Sequence, residues 1–135
     1  MSLRFNPIGS LVTCAEGDRV LLRMSNLGYQ QHSMTVDGIT LRVVAKDANA
    51  LVDSNRDVTY ETNTVEIGPG ESRDVIFVAP KASSTATAGN PDVYRLYDRN
   101  YAYASNGGGA GYGGMLTEIH VSPAGTVPPQ SGPNR

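Results

Sequence analysis

The sequence predicts an all-β domain, an antiparallel β-sandwich with Greek-key connections and about seven or eight strands. Three observations carry that prediction. Apolar residues alternate with period two in short runs, and Gly, Pro, Asn and Asp separate those runs. No window of about 11 residues repeats apolar positions at i, i+3, i+4 and i+7, so no long helix is expected.

The runs follow in order. A first strand is expected around Val12 and Cys14. After the turn residues Gly17 and Asp18, Val20, Leu22 and Met24 share one side of a strand, and Arg19, Arg23 and Ser25 share the other. Met34, Thr35 and Val36 follow a turn that ends at His32. Leu41, Val43 and Ala45 alternate with Arg42, Val44 and Lys46, and a short helical turn is expected at 48–51. Val65 and Ile67 precede the turn Gly68-Pro69-Gly70. Val75, Phe77 and Ala79 then face away from Asp74, Ile76 and Val78, and Pro80 ends that run. Tyr94, Leu96 and Asp98 alternate with Arg95, Tyr97 and Arg99. Last, Met115, Thr117, Ile119 and Val121 share a face opposite Leu116, Glu118 and His120.

Residues 81–92, rich in Ser, Thr and Ala, and the glycine-rich 105–114 read as long loops. With 135 residues the chain suits one domain, assigned to 1–121, and the Pro-bearing 122–135 reads as an extended tail or interdomain linker. Hydrophobic residues at 39% and charged residues at 18% are those of a globular chain. A formal net charge of −2 without a basic block argues against nucleic acid as a partner, and no apolar run is long enough for a membrane span. The first seven residues lack the apolar core of a signal peptide, and their abrupt opening reads as a piece of a longer polypeptide.

Candidates for chemistry are few. His32, in a turn, is expected to bond the backbone or sit at an interface, and His120 to be a sheet-face histidine. Cys14, the single cysteine, is expected to be an inert core thiol, because no cation or helix N-terminus adjoins it. Gly109, Gly111 and Gly114 match G-x-G-x-x-G, but the alternating run that follows is a strand, so no helix N-terminus faces a phosphate. Asp53, Asn55, Asp57 and Glu61 resemble part of a calcium loop, yet Val58 and Thr64 stand where its glycine and bidentate Glu belong. The sequence contains no G-x-S-x-G, H-E-x-x-H or C-x-x-C.

Several segments resemble the cupredoxin-like domains of multicopper oxidases of the laccase type: GDRVLLRMSN at 17–26, HSMTVDG at 32–38, NTVEIGPGESRDVIF at 63–77, YRLYDRN at 94–100 and GGMLTEIHV at 113–121. The Gly-Pro-Gly-Glu turn is the most specific of these. The resemblance covers roughly residues 10–121, in the right order. It implies a cupredoxin-like Greek-key fold, an oxidoreductase parent that couples substrate oxidation to dioxygen reduction, and a periplasmic or extracellular location.

A blue-copper site needs two His, a Cys thiolate and usually a weak axial Met. The loop 100–114, where the family carries the Cys and second His, has neither. The family's trinuclear cluster is built from His-x-His pairs, and this sequence has none. The resemblance therefore implies a copper-free middle domain, inactive alone, whose partners are flanking cupredoxin domains of the same polypeptide that hold the copper. An isolated copy would expose faces that those domains cover, so a homo-oligomer is a further expectation. Tyr97, Tyr101, Tyr103 and Tyr112 gather near the glycine-rich loop and, with His32, are the candidate interface or substrate approach, unless the tyrosines only cap one end of the sandwich. The competing reading is a free-standing β-sandwich that binds carbohydrate, calcium or a protein.

Overall fold

The computed structural model describes residues 10–104 and 113–128. Among these are ten strands and one short helix: β1 Val12–Ala15, β2 Arg19–Ser25, β3 His32–Val36, β4 Leu41–Lys46, β5 Asn49–Ala50, β6 Tyr60–Thr62, β7 Thr64–Ile67, β8 Ser72–Val78, β9 Asp92–Asp98, α1 Tyr101–Ala104 and β10 Leu116–Ser122. One sheet has the order β1-β10-β9-β3-β7 and the other β2-β8-β4-β5, with β6 also paired to β4. Successive strands repeatedly cross from one sheet to the other, which gives the expected sandwich of cupredoxin-like form.

The fold differs from the expectation in detail. The strands beyond eight are the brief β5 and β6, of two and three residues, too short to alternate visibly in sequence. No helical turn forms at 48–51. Asp47 and Ala48 take φ of 48° and 62°, and this left-handed pair folds β4 back onto β5 as a two-residue hairpin. One pairing is parallel: β1 runs beside β10, with Val12 opposite Ile119 and Ala15 opposite Ser122. After β10, Thr126 folds back on the Pro123 carbonyl through its amide and hydroxyl, so the segment after Ser122 begins as a turn.

The period-two pattern becomes the core directly. Val36, Leu41, Val43, Val75, Ile119 and Val121 are fully buried, and Phe77, Val65 and Ile67 nearly so. Each such side chain contributes about 1.5–3 kcal/mol relative to exposure, which makes this layer the main source of stability.

The Gly-Pro-Gly-Glu turn is built as its residues dictate. Pro69 presets the first corner, Gly70 takes φ 75° at the second, and Glu71 N–H closes on the Gly68 carbonyl at 3.1 Å. The Glu71 carboxylate accepts from Gly68 N–H and from the buried Arg73, both at 2.7 Å. Asn26, at the end of β2, ties this turn down. Its amide donates to the carbonyls of Ile67 (3.0 Å) and Gln30 (2.6 Å), its Oδ1 accepts from Gly28 N–H, and its backbone bonds Gly70 and Glu71.

Candidate functional site

The described candidates separate into two places on the β9 side of the sandwich. The first lies inside. His32 opens β3 on its inward face, in line with Met34 and Val36. Its Nδ1 stands 2.5 Å from Oδ2 of Asp98, whose side chain is 2% exposed. Asp98 is fixed by its own neighbourhood, since its other oxygen accepts Asn100 N–H at 2.8 Å. Asn100 in turn starts α1, its side chain accepting from Ala102 N–H and its carbonyl from Tyr103 N–H. That short helix sets the Tyr103 ring edge-on to His32, with centroids 5.3 Å apart and planes at 70°.

Met115 N–H bonds the Tyr103 carbonyl at 2.8 Å, and Gly114, at φ 69°, passes so close that a Cβ there would stand 2.0 Å from that oxygen. His32, Met24, Met34, Met115, Ile67 and Leu96, with the more exposed Arg23 and Leu27, line an open pocket of about 480 Å³.

The second place is the outer face of the same sheet. Tyr97 and Tyr101 stack at 6.1 Å with planes 15° apart, and the Tyr97 hydroxyl donates to Asp37 at 2.9 Å. That bond favours the protonated phenol and, with minor burial and the Asp37 charge, pushes Tyr97 above its ordinary pKa. Tyr101 is 71% exposed. The tyrosines therefore do not form one cluster: Tyr103 joins His32, Tyr97 joins Tyr101, and Tyr112 lies outside the described residues.

The remaining polar candidates are occupied locally. His120 Nε2 bonds the buried Glu118 carboxylate at 2.8 Å on the outer side of β10. The Cys14 thiol points into the core on β1 and donates to the His120 carbonyl at 3.6 Å; burial, then the Asp18 charge, raise it to about 11. Asp53 accepts from the amides of Asn55 and Arg56 and so closes its own turn. Asp57 bonds Thr59 and Arg42, and these contacts, those of Thr59 foremost, hold its carboxyl below the usual range.

The multicopper oxidase family model matches residues 9–96. The chain belongs to the multicopper oxidase family. Its fold is similar to that of the blue copper oxidase from Nitrosomonas europaea, with TM-score 0.67 and 25% identity, covering 86% of this chain and 32% of that one. It is likewise similar to the multicopper oxidase mgLAC, with TM-score 0.66 and 27% identity, covering 93% and 34%. The multi-copper oxidase from Pseudomonas thermotolerans shares the fold at TM-score 0.60 and 21% identity, over 87% of this chain and 22% of that one. The chain thus spans about a third of the first two oxidases. No curated protein sequence matches it.

A blue-copper donor set does not assemble from the described residues of this multicopper oxidase domain. Cys14 lies in the core on β1 and His120 on the outer face of β10, while His32 stands at a separate cavity that Cys14 does not line. No three His, Cys, Asp or Glu side chains converge among the described residues. No helix there is long and apolar enough to cross a membrane.

Proposed function

We propose that this chain is a non-catalytic structural domain of a multicopper oxidase, one that spaces and orients the copper-bearing domains of the same polypeptide. The observation that carries this reading is the division between Cys14, His32 and His120. The three residues that a blue-copper centre would need to gather are each bonded in a different place. A complete sandwich covering about a third of related oxidases supports the same reading. The stacked Tyr97 and Tyr101, amphipathic and on the outer face, are the contact offered to a flanking domain. The parent's setting is periplasmic or extracellular.

The domain's own residues perform no redox step in this reading; they hold a fixed separation. The copper of the neighbouring domains supplies the electron transfer and dioxygen reduction when bound. The test is made on the parent polypeptide. Replacing this segment with a flexible linker of similar span is expected to abolish assembly of the copper cluster and oxidase turnover. The isolated chain supplied with Cu(II) is expected to show no intense blue absorption and no oxidation of a phenol. A blue, active isolated chain would overturn the proposal.

A further inference from the structure

Among the described residues, β2 is the one long strand at a sheet edge. β1 and β7 end the other sheet, and the far edge of β2's own sheet is formed by the short β5 and β6. β1 and β7 have four residues each, whereas β2 has seven, and its pairing with β8 runs without a bulge from Arg19 to Ser25. An edge of this length presents unpaired N–H and C=O groups to other chains, and is ordinarily blunted by proline, a bulge or an inward charge. β2 carries no proline and no glycine, and its inward residues are Val20, Leu22 and Met24.

The direction of the free groups follows from the ladder. The Asp18 carbonyl accepts from Ala79 N–H at 2.8 Å, and Asn26 N–H donates to the Glu71 carbonyl at 3.0 Å, so the even-numbered backbone turns toward β8. Alternation then aims the N–H and C=O of Arg19, Leu21, Arg23 and Ser25 away from β8. No described strand pairs with them. Packing is incomplete on the same side. Val20, Leu22 and Met24 stay half-buried, while Phe77 and Val75, their neighbours on β8, are 2% and 0% exposed.

Charge selects what fits this edge. An antiparallel second copy of β2 meets the free groups only in registers that set odd residues against odd ones. Centred on Leu21, such a pairing sets Arg19 against the partner's Arg23. Centred on Arg23, it sets that arginine against itself. Centred on Leu22, it sets Arg19 against Ser25 and Leu21 against Arg23, so no like charges stand directly opposite. Registers further out leave part of the strand unpaired. In the Leu22 register Arg19 lies diagonal to the partner's Arg23, whose guanidinium is already turned to Asp74 at 3.4 Å. The stem of that arginine covers Leu21, which is 49% exposed in the single chain.

We propose that a second copy of this chain pairs antiparallel with β2 about a two-fold axis at Leu22, joining the two β2-containing sheets into one continuous sheet. The contact goes beyond the spacing role: Tyr97 belongs to the other sheet, so the face it shares with Tyr101 stays free.

The test uses the full 135-residue chain, followed by sedimentation and amide hydrogen exchange. The expected result is a concentration-dependent monomer–dimer equilibrium. The amides of Arg19, Leu21, Arg23 and Ser25 should gain protection only as the dimer forms, while those of Leu22 and Met24, bonded to β8, should be protected at every concentration.

Leu21→Pro removes an N–H that the fold itself does not use, so it should keep a cooperative melt and lose the dimer. Leu21→Lys sets a cation against the partner's Arg23 and should weaken association roughly tenfold, with recovery at high salt. This exposed position decides the question should the proline variant fail to fold. Leu22→Cys in a Cys14→Ser background stands on the axis and should form a disulfide-linked dimer on mild oxidation, which Arg19→Cys in that background should not. A chain that stays monomeric up to about 1 mM overturns the proposal. So does a dimer that survives Leu21→Pro, or one whose four outward amides still exchange freely.

Discussion

Gly114 passes over Tyr103 so closely that a Cβ at position 114 would lie 2.0 Å from the Tyr103 carbonyl oxygen, which is backbone and has no rotamer to yield. The φ of 69° adds a second penalty for any L side chain. Gly114→Ala is therefore expected to displace either α1 or the start of β10. Denaturant unfolding should show a loss of at least about 1–3 kcal/mol, the range of a strained backbone position. The His32 ring protons should lose the shielding that Tyr103 imposes. An alanine variant with unchanged stability and unchanged His32 shifts would show that the two segments are not in contact.

Asn26 predicts a different kind of loss. Its side chain satisfies the carbonyls of Ile67 and Gln30 and the amide of Gly28, at a position only 7% exposed. Asn26→Ala leaves those groups without partners, at about 1–3 kcal/mol for each one kept from water. Chemical denaturation should reveal the loss, and hydrogen exchange should accelerate at Gly28 and at the β7–β8 turn. Unaltered exchange there would remove Asn26 from its place as the tie between β2 and that turn.

The Cys14 thiol, raised from 9.0 to about 11, predicts a pH dependence with a definite sign. The folded state keeps the proton where the unfolded chain has released it. The resulting stabilisation is complete below pH 9 and is lost as pH rises from there through about 11. Comparing the alkaline stability of the parent chain with that of Cys14→Ala isolates this contribution: the parent should fall more steeply. At pH 8 a thiol reagent should label Cys14 only after denaturation, and rapid labelling of the native protein would contradict its burial.

Tyr97 offers a spectroscopic check on the outer face. Because its hydroxyl donates to Asp37, Asp37→Asn should bring its titration back toward the ordinary tyrosine range. Ultraviolet difference titration of the two proteins, with Tyr97→Phe to assign the signal, measures this. An identical Tyr97 titration in both would place the hydroxyl away from Asp37.

These residues also show how far sequence reading reaches. The period-two runs indicate which side of β2, β4, β8 and β10 enters the core, because that information is local. Glu118 and His120 were legible as neighbours for the same reason: residues two apart in a strand share a face. The His32–Asp98 pair was not, because 66 residues separate its members and only the β3–β9 register brings them together. The same holds for Met24, Met34 and Met115, which line one pocket from separate strands. Proximity in sequence groups the tyrosines, but alternation along β9 and the turn of α1 send Tyr97 and Tyr103 to different surroundings. The hairpin at Asp47 and Ala48 leaves no such mark in the sequence, because neither residue is the glycine that usually signals a left-handed turn.

The parallel pairing of β1 with β10 has a mechanical consequence. Chain arriving at Val12 and chain departing after Ser122 do so at opposite ends of one ladder, since the two strands run in the same direction side by side. Tension applied through those two points would pull β1 backward and β10 forward, loading their hydrogen bonds in shear all at once instead of unzipping them singly. The four paired positions from Val12–Ile119 to Ala15–Ser122 then act as a clasp. Whatever is tethered at either pole is held at a stand-off set by the length of a β-strand.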